Sequence, residues 1–174
     1  MARREIDTGL EGFRLWPGAL SPEEQAGLRD EVLAAVDAGA PFYQPTHPAT
    51  GEPWPPMPKQ LRQLWDELTG WPDPPDACLV NLYREGARMG LHQDLDEADR
   101  TAPVLSVSLG DTAVFRIGAA EGGRTRSVRL ASGDVCMLSG RARLARHGID
   151  RILGGSSSLL PGGGRMNLTL RRAA

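Results

Sequence analysis

A chain of 174 residues, 40% of them apolar, can bury one sizeable core and is too short for two ordinary domains. Its net charge of −2 excludes both an acidic disordered tail and a uniformly basic nucleic-acid binder. Cys78 and Cys136, each inside an apolar run, imply no disulfide framework and read as small buried hydrophobes of a reducing compartment. No apolar segment follows Arg3-Arg4 and no run of about 18 apolar residues occurs, so no membrane is expected and the cytoplasm is the default location.

Patterning is weak up to Leu15. Leu20-Ser21-Pro22-Glu23-Glu24 then supplies an N-cap Ser, a Pro at the first helical position and a Glu three residues past the cap, which predicts a helix start. Leu28, Val32 and Val36 give that helix one apolar face, and Gly39 is its expected stop. The Pro-rich stretch Pro41 to Pro58 carries Phe42, Tyr43, His47 and Trp54 and cannot form a regular element. It reads as a short aromatic loop, either a lid over a site or a strap across one end of a sheet, with His47 as a solvated residue. A second helix is predicted from about Pro58 to Thr69, with Leu61, Leu64, Trp65 and Leu68 on one face and Gly70 after it.

Past Pro75 the pattern changes to short strands. Ala77 to Arg84, Val104 to Gly110, Ala113 to Ile117, Ser127 to Leu130, Val135 to Leu138 and Met166 to Leu170 are the candidates, and their number suggests an all-β sandwich or barrel. Gly154 to Gly164 reads as a flexible connection. Side chains alternate along a strand, so Asn81 and Tyr83 share a face, and Arg165, Asn167, Thr169 and Arg171 share another, with Met166, Leu168 and Leu170 opposite. That polar face is either solvent or the lining of an anion pocket.

His92 and Asp94 form an H-x-D pair, which on an extended strand would point both side chains one way. With His147 they would make two imidazoles and one carboxylate, the set used by non-haem Fe(II) oxygenases. The pair alone is weak evidence. A keto-acid co-substrate would want guanidinium forks, and Arg165 and Arg171 are six residues apart on one strand face, about 20 Å at the usual rise. From Arg116 to Arg151 eight Arg face three acids, a composition suited to a polyanionic partner and equally to solvated strand edges.

The ordered set Asn81-x-Tyr83, His92-x-Asp94-x-Asp96-Glu97, Ser106-Val107-Ser108-Leu109-Gly110, Gly133-Asp134-Val135, His147-Gly148-Ile149 and Arg165-x-Asn167-x-Thr169-x-Arg171 resembles the AlkB family of Fe(II)- and 2-oxoglutarate-dependent dioxygenases. The resemblance is dense from about Asp76 to Arg172. It implies an α+β fold with a double-stranded β-helix (jelly-roll) core over 76–172, and helical support with the short lid or strap over 1–75. It also implies roles: His92, Asp94 and His147 for Fe(II); Asn81, Tyr83, Arg165, Asn167, Thr169 and Arg171 for 2-oxoglutarate, with O₂ as co-substrate. Asp96 would lie beside the substrate base as a catalytic and substrate-binding carboxylate, with either Phe42 or Tyr43, together with His92, to sandwich that base. The implied activity is oxidative demethylation of 1-methyladenine or 3-methylcytosine in single-stranded DNA or RNA, by a monomer.

One departure stands out. Many repair members carry a longer lid with a stacking Trp, whereas here only Asp37 to Phe42 separate Val36 from Tyr43. A 2-oxoglutarate oxygenase acting on a small molecule or a protein side chain therefore stays open, as does a non-catalytic metal-binding jelly roll, though the two arginines argue against the latter.

Overall fold

The computed structural model describes residues 2–37, the backbone of 42–43, and residues 51 and 55–174. Helix α1 (Pro22–Asp37) starts on a reciprocal cap: the Glu24 N–H donates to the Ser21 hydroxyl (3.1 Å), and the Ser21 N–H donates to the Glu24 carboxylate (2.7 Å). It buries Leu28, Val32 and Ala35, while Val36 packs at the edge of that core. Helix α2 (Lys59–Thr69) buries Leu61, Leu64 and Trp65 and ends at Gly70, whose φ of 62° is left-handed and suits glycine.

The described strands, in chain order, are β1 (Phe13–Trp16), β2 (Phe42–Tyr43), β3 (Ala77–Tyr83), β4 (Met89–His92), β5 (Val104–Gly110), β6 (Thr112–Gly118), β7 (Thr125–Leu130), β8 (Val135–Leu138), β9 (Arg146–Leu153) and β10 (Arg165–Arg171). They form two antiparallel sheets, a larger one in the order β1-β8-β5-β10-β3-β2 and a smaller one in the order β4-β9-β6-β7. This is the jelly roll, with two helices outside it.

Alternation along β10 assigns the layers. Met166, Leu168 and Leu170 pack with α1, α2, Cys78 and Val80 in one core, between the helices and the larger sheet. A second core, between the sheets, holds Tyr83, Phe115, Ile117, Cys136 and Ile149. The opposite face of β10 is therefore turned into the sandwich, not to solvent: Arg165 is 1% and Thr169 is 6% exposed. Both cysteines are buried and free.

Four strands, β1, β2, β4 and β9, were not expected from pattern: β2 lies in the Pro-rich stretch expected to form no regular element, and β4 and β9 carry histidines of the site. β9 hides its alternation because the pairing with β6 shifts register between Val114 and Phe115, leaving Asp150 without an opposite number. β4 pairs irregularly with β9 between Met89 and His92. The stretch Gly154 to Gly164, expected to be flexible, is instead tied down. The Asp111 carboxylate accepts the N–H groups of Ser157 (2.9 Å) and Gly164 (3.0 Å), Arg29 donates to the Leu159 carbonyl (2.9 Å), and Leu160 is buried.

Candidate active site

A cavity opens between the sheets, bounded by β3, β4, β9 and the polar face of β10. His92 closes β4 and pairs in register with His147 on β9, which brings their rings to 4.4 Å between centroids. Asp94 lies beyond the end of β4, so it does not reach the site by strand alternation. It is carried there by the segment after His92, whose anchor is Arg143. That guanidinium, 3% exposed, donates to the backbone carbonyls of Asp94 (3.0 Å) and Ala102 (2.7 Å) and to Glu97 (3.1 Å).

Ligand atoms of His92, Asp94 and His147 all lie within 4.8 Å of one another. Nδ1 of His92 faces the Gly90 carbonyl at 2.9 Å, and Nδ1 of His147 faces the Ala145 carbonyl at 2.9 Å. A carbonyl can only accept, which places the proton on Nδ1 and leaves each Nε2 lone pair directed inward. Those Nε2 atoms lie 3.8 and 3.4 Å from Asp94 oxygens. Burial holds the His147 imidazole below its ordinary value of 6.5, despite the pull of the Asp94 charge, and so favours the neutral form that ligates. Asp94 Oδ2 is buried without a hydrogen-bond partner. An orphaned carboxylate oxygen among two inward lone pairs fits a divalent cation with room for further ligands.

Gly148 explains the residue after the histidine. A Cβ there would sit 2.5 Å from the Met89 carbonyl oxygen and 2.8 Å from that of Gly90, so only glycine lets β4 lie this close to β9.

At the far end of the cavity Arg165 has no carboxylate within ion-pair reach among the described residues. Its guanidinium donates to Ser108 Oγ (2.9 Å), Asn167 Oδ1 (3.3 Å) and the Leu130 carbonyl (3.3 Å), and burial pushes it down to about 10. Asn167 accepts from Ser106 Oγ (2.7 Å) and donates to Thr169 Oγ1 (3.0 Å), which fixes its amide. Asn81 stands opposite Asn167 in register and also lines the cavity, as does Tyr83, whose phenol is raised by burial. A buried, unmatched cation amid fixed polar groups could hold one carboxylate of a keto acid.

Arg171 occupies the other end. It donates to Asp94 Oδ1 (3.2 Å) and to Glu97, and Glu97 in turn joins Arg143. Burial alone would raise the Glu97 carboxyl; Arg171 and Arg143 outweigh it and hold it below the usual range. Sequence counted Arg143 among surface arginines and gave Glu97 no role, since nothing in their spacing marks them as inward. Asp96 departs the other way: with β4 ended, it is exposed and absent from the cavity lining. The backbone of Phe42 and Tyr43 pairs with Leu79 and Cys78 of β3, and Leu79 lines the cavity, but their side chains, like Trp54, His47 and most of the Pro41 to Pro58 loop, lie outside the described residues.

The sequence model of the 2OG-Fe(II) oxygenase superfamily matches residues 22–171. An "Alpha-ketoglutarate-dependent dioxygenase AlkB homolog" of Caulobacter vibrioides is 54% identical over 198 aligned residues, covering 95% of this chain and 90% of that protein. The chain belongs to the AlkB family. It is thus an Fe(II)- and 2-oxoglutarate-dependent dioxygenase. Escherichia coli "Alpha-ketoglutarate-dependent dioxygenase AlkB" is 42% identical over 76% of the chain and 63% of its own length. Among solved structures, "The structure of OsALKBH1" superposes with a TM-score of 0.76 at 27% identity, covering 92% of this AlkB-family chain and 97% of that one. A Pseudomonas putida prolyl-4-hydroxylase, at a TM-score of 0.57 and 16% identity over 97% and 91%, shares the fold. No helix among the described residues is long and apolar enough to cross a membrane.

Proposed function

We propose that this chain oxidatively removes N-methyl groups from alkylated bases, of the 1-methyladenine and 3-methylcytosine type, in single-stranded DNA or RNA. The reading is supported by relatives named as nucleic-acid enzymes, among them a human "Nucleic acid dioxygenase ALKBH1" at 29% identity and an Arabidopsis thaliana "DNA N(6)-methyladenine demethylase ALKBH1D" at 42%. The observation that carries it is the joining of an inward His92, Asp94, His147 cluster to a buried, unmatched Arg165 in one cavity. Buried free thiols suit a reducing compartment, and we place the protein in the cytoplasm as a monomer.

Fe(II) with 2-oxoglutarate would supply an oxidant from O₂ that hydroxylates the methyl carbon, after which the product sheds formaldehyde. The protein's part is position and charge. His92 and His147 would offer Nε2, with their Nδ1 protons fixed by backbone carbonyls. Asp94 would offer its free Oδ2 while Arg171 holds Oδ1, which leaves the carboxylate one way to turn. Arg165 would match the distal carboxylate of the keto acid, with Asn81, Tyr83, Asn167 and Thr169 shaping the space between. Asp96, exposed on the segment that follows β4, stays a candidate for an incoming base rather than for the reacting centre.

The test is succinate and formaldehyde release on methylated single-stranded oligonucleotides, with free methylated nucleosides alongside. His92→Ala, Asp94→Ala and His147→Ala are expected to abolish release and metal binding together. An iron-loaded enzyme that consumes 2-oxoglutarate yet demethylates no oligonucleotide would replace this reading with a small-molecule or protein hydroxylase.

A further inference from the structure

On β6, Ala113, Phe115 and Ile117 point into the sandwich, so Val114 and Arg116 point out. Register then sets Arg151 and Arg129 on either side of Val114, Gly148 and Ser127 on either side of Arg116, and Arg146 beside Gly118. Adjacent strands are about 4.8 Å apart, which puts the Arg129 and Arg151 backbones about 10 Å from each other. Val114 is only 7% exposed yet belongs to neither core, because the stems of these two neighbours are the groups placed to cover it. Arg129 and Arg151 are both exposed. Arg116, Arg129, Arg146 and Arg151 form no ion pair among the described residues. Arg116 donates to the Thr125 hydroxyl, and Arg146 to the carbonyls of Ala119 and Gly123, contacts that leave their charge intact. Asp150, the residue extruded by the bulge, is the only acid in β6, β7 and β9.

This charged face leads to the active site. At the β4 edge lies a groove of about 210 Å³ between Arg88, Leu91, Arg116 and Asp150. Met89, Gly148 and Ile149 wall both that groove and the cavity of the two histidines. A chain following the arginines therefore has one strand to cross before it meets the mouth, and Leu91, 43% exposed, offers it an apolar surface there.

We propose that the outer face of the four-stranded sheet binds the sugar–phosphate backbone of a single-stranded polynucleotide flanking the base being processed. The proposal rests on the nucleic-acid reading above. Charge complementarity selects the occupant: a row of unneutralised guanidiniums matches a regular polyanion and carries no base-reading geometry, so binding is set by phosphates and not by sequence.

The experiment measures the anisotropy of a fluorescein-labelled oligothymidylate of about 20 nucleotides across a salt series. It compares wild type, the triple variant Arg116→Ala/Arg129→Ala/Arg151→Ala and, as a control, Arg62→Ala, an exposed arginine of α2. The triple variant is expected to bind about tenfold or more weakly, and its plot of log K against log salt to flatten by about 2, at roughly 0.7 per lost phosphate contact. Arg62→Ala is expected to change neither. Turnover of 2-oxoglutarate with a free methylated nucleoside, which is too small to reach the face, is expected to be unaffected in all three. Unchanged oligothymidylate affinity and slope in the triple variant overturns the proposal, and so does equal competition by polyglutamate. The two readings fail separately. If methylated oligonucleotides are demethylated equally by wild type and triple variant, the surface falls and the activity stands; if none is demethylated while binding still depends on the three arginines, the activity falls and the surface stands.

Discussion

The Arg165 guanidinium, 1% exposed among a serine hydroxyl, an amide and a carbonyl, has its charge left to be matched by something that arrives. Losing a charge-assisted bond of that kind costs about 1.5–3 kcal/mol, so Arg165→Ala is expected to raise the 2-oxoglutarate requirement roughly ten- to a hundredfold. Turnover against keto-acid concentration measures it; an unchanged requirement with weaker oligonucleotide binding would reassign the residue. His147 gives a pH dependence. Its folded pKa lies below 6.5, so the unfolded chain binds the proton more readily, and stability is full above pH 6.5 and declines as the pH falls toward the folded value. Apo-protein melts across that range are expected to show the decline, with a smaller one for His147→Gln. The cluster of His92, Asp94 and His147 and the polar run on β10 could be picked out in sequence by residue type, although Asp94 reaches the cluster past the end of β4 and not by strand alternation. Asp96 and Glu97 were not, because the end of β4 at His92 breaks the strand alternation, and Arg143 was not, because it follows a single 3-10 turn with no period to read.

Among elements, the β4–β9 pair is the most exacting. Gly148→Ala would press a methyl against two carbonyl oxygens of β4, and overpacking of this sort costs about 1–3 kcal/mol. The expected outcome is a lower melting temperature together with weaker metal binding, since β4 carries His92 away from His147 as it shifts. A lower melting temperature with metal affinity intact would show that the strand spacing and the ligand spacing are independent. The helices and β3, β5, β6, β8 and β10 could be read from caps and alternation. β9 could not, because its bulge interrupts the period, and the Gly154 to Gly164 stretch could not, because its order comes from Asp111, more than forty residues earlier in the chain.

At the scale of the molecule, the strands between the two cores serve both: Leu105 packs toward the helices while its neighbour Val104 packs between the sheets. We take residues 1–174 as one cooperative domain on that ground. Calorimetry is expected to show one transition with equal calorimetric and van't Hoff enthalpies, and two separate transitions would divide the helical support from the jelly roll. One strand of the larger sheet, β10, is hydrogen-bonded on both sides, to β3 and to β5, and cannot slide along either. Arg165 at its start and Arg171 at its end are therefore fixed posts, one without a carboxylate partner among the described residues and the other braced against Asp94. On the roles proposed for them the strand would work as a gauge: a keto acid one methylene shorter would leave a carboxylate short of Arg165, one methylene longer would have to buckle, and the choice of co-substrate would become a matter of length before it is one of affinity.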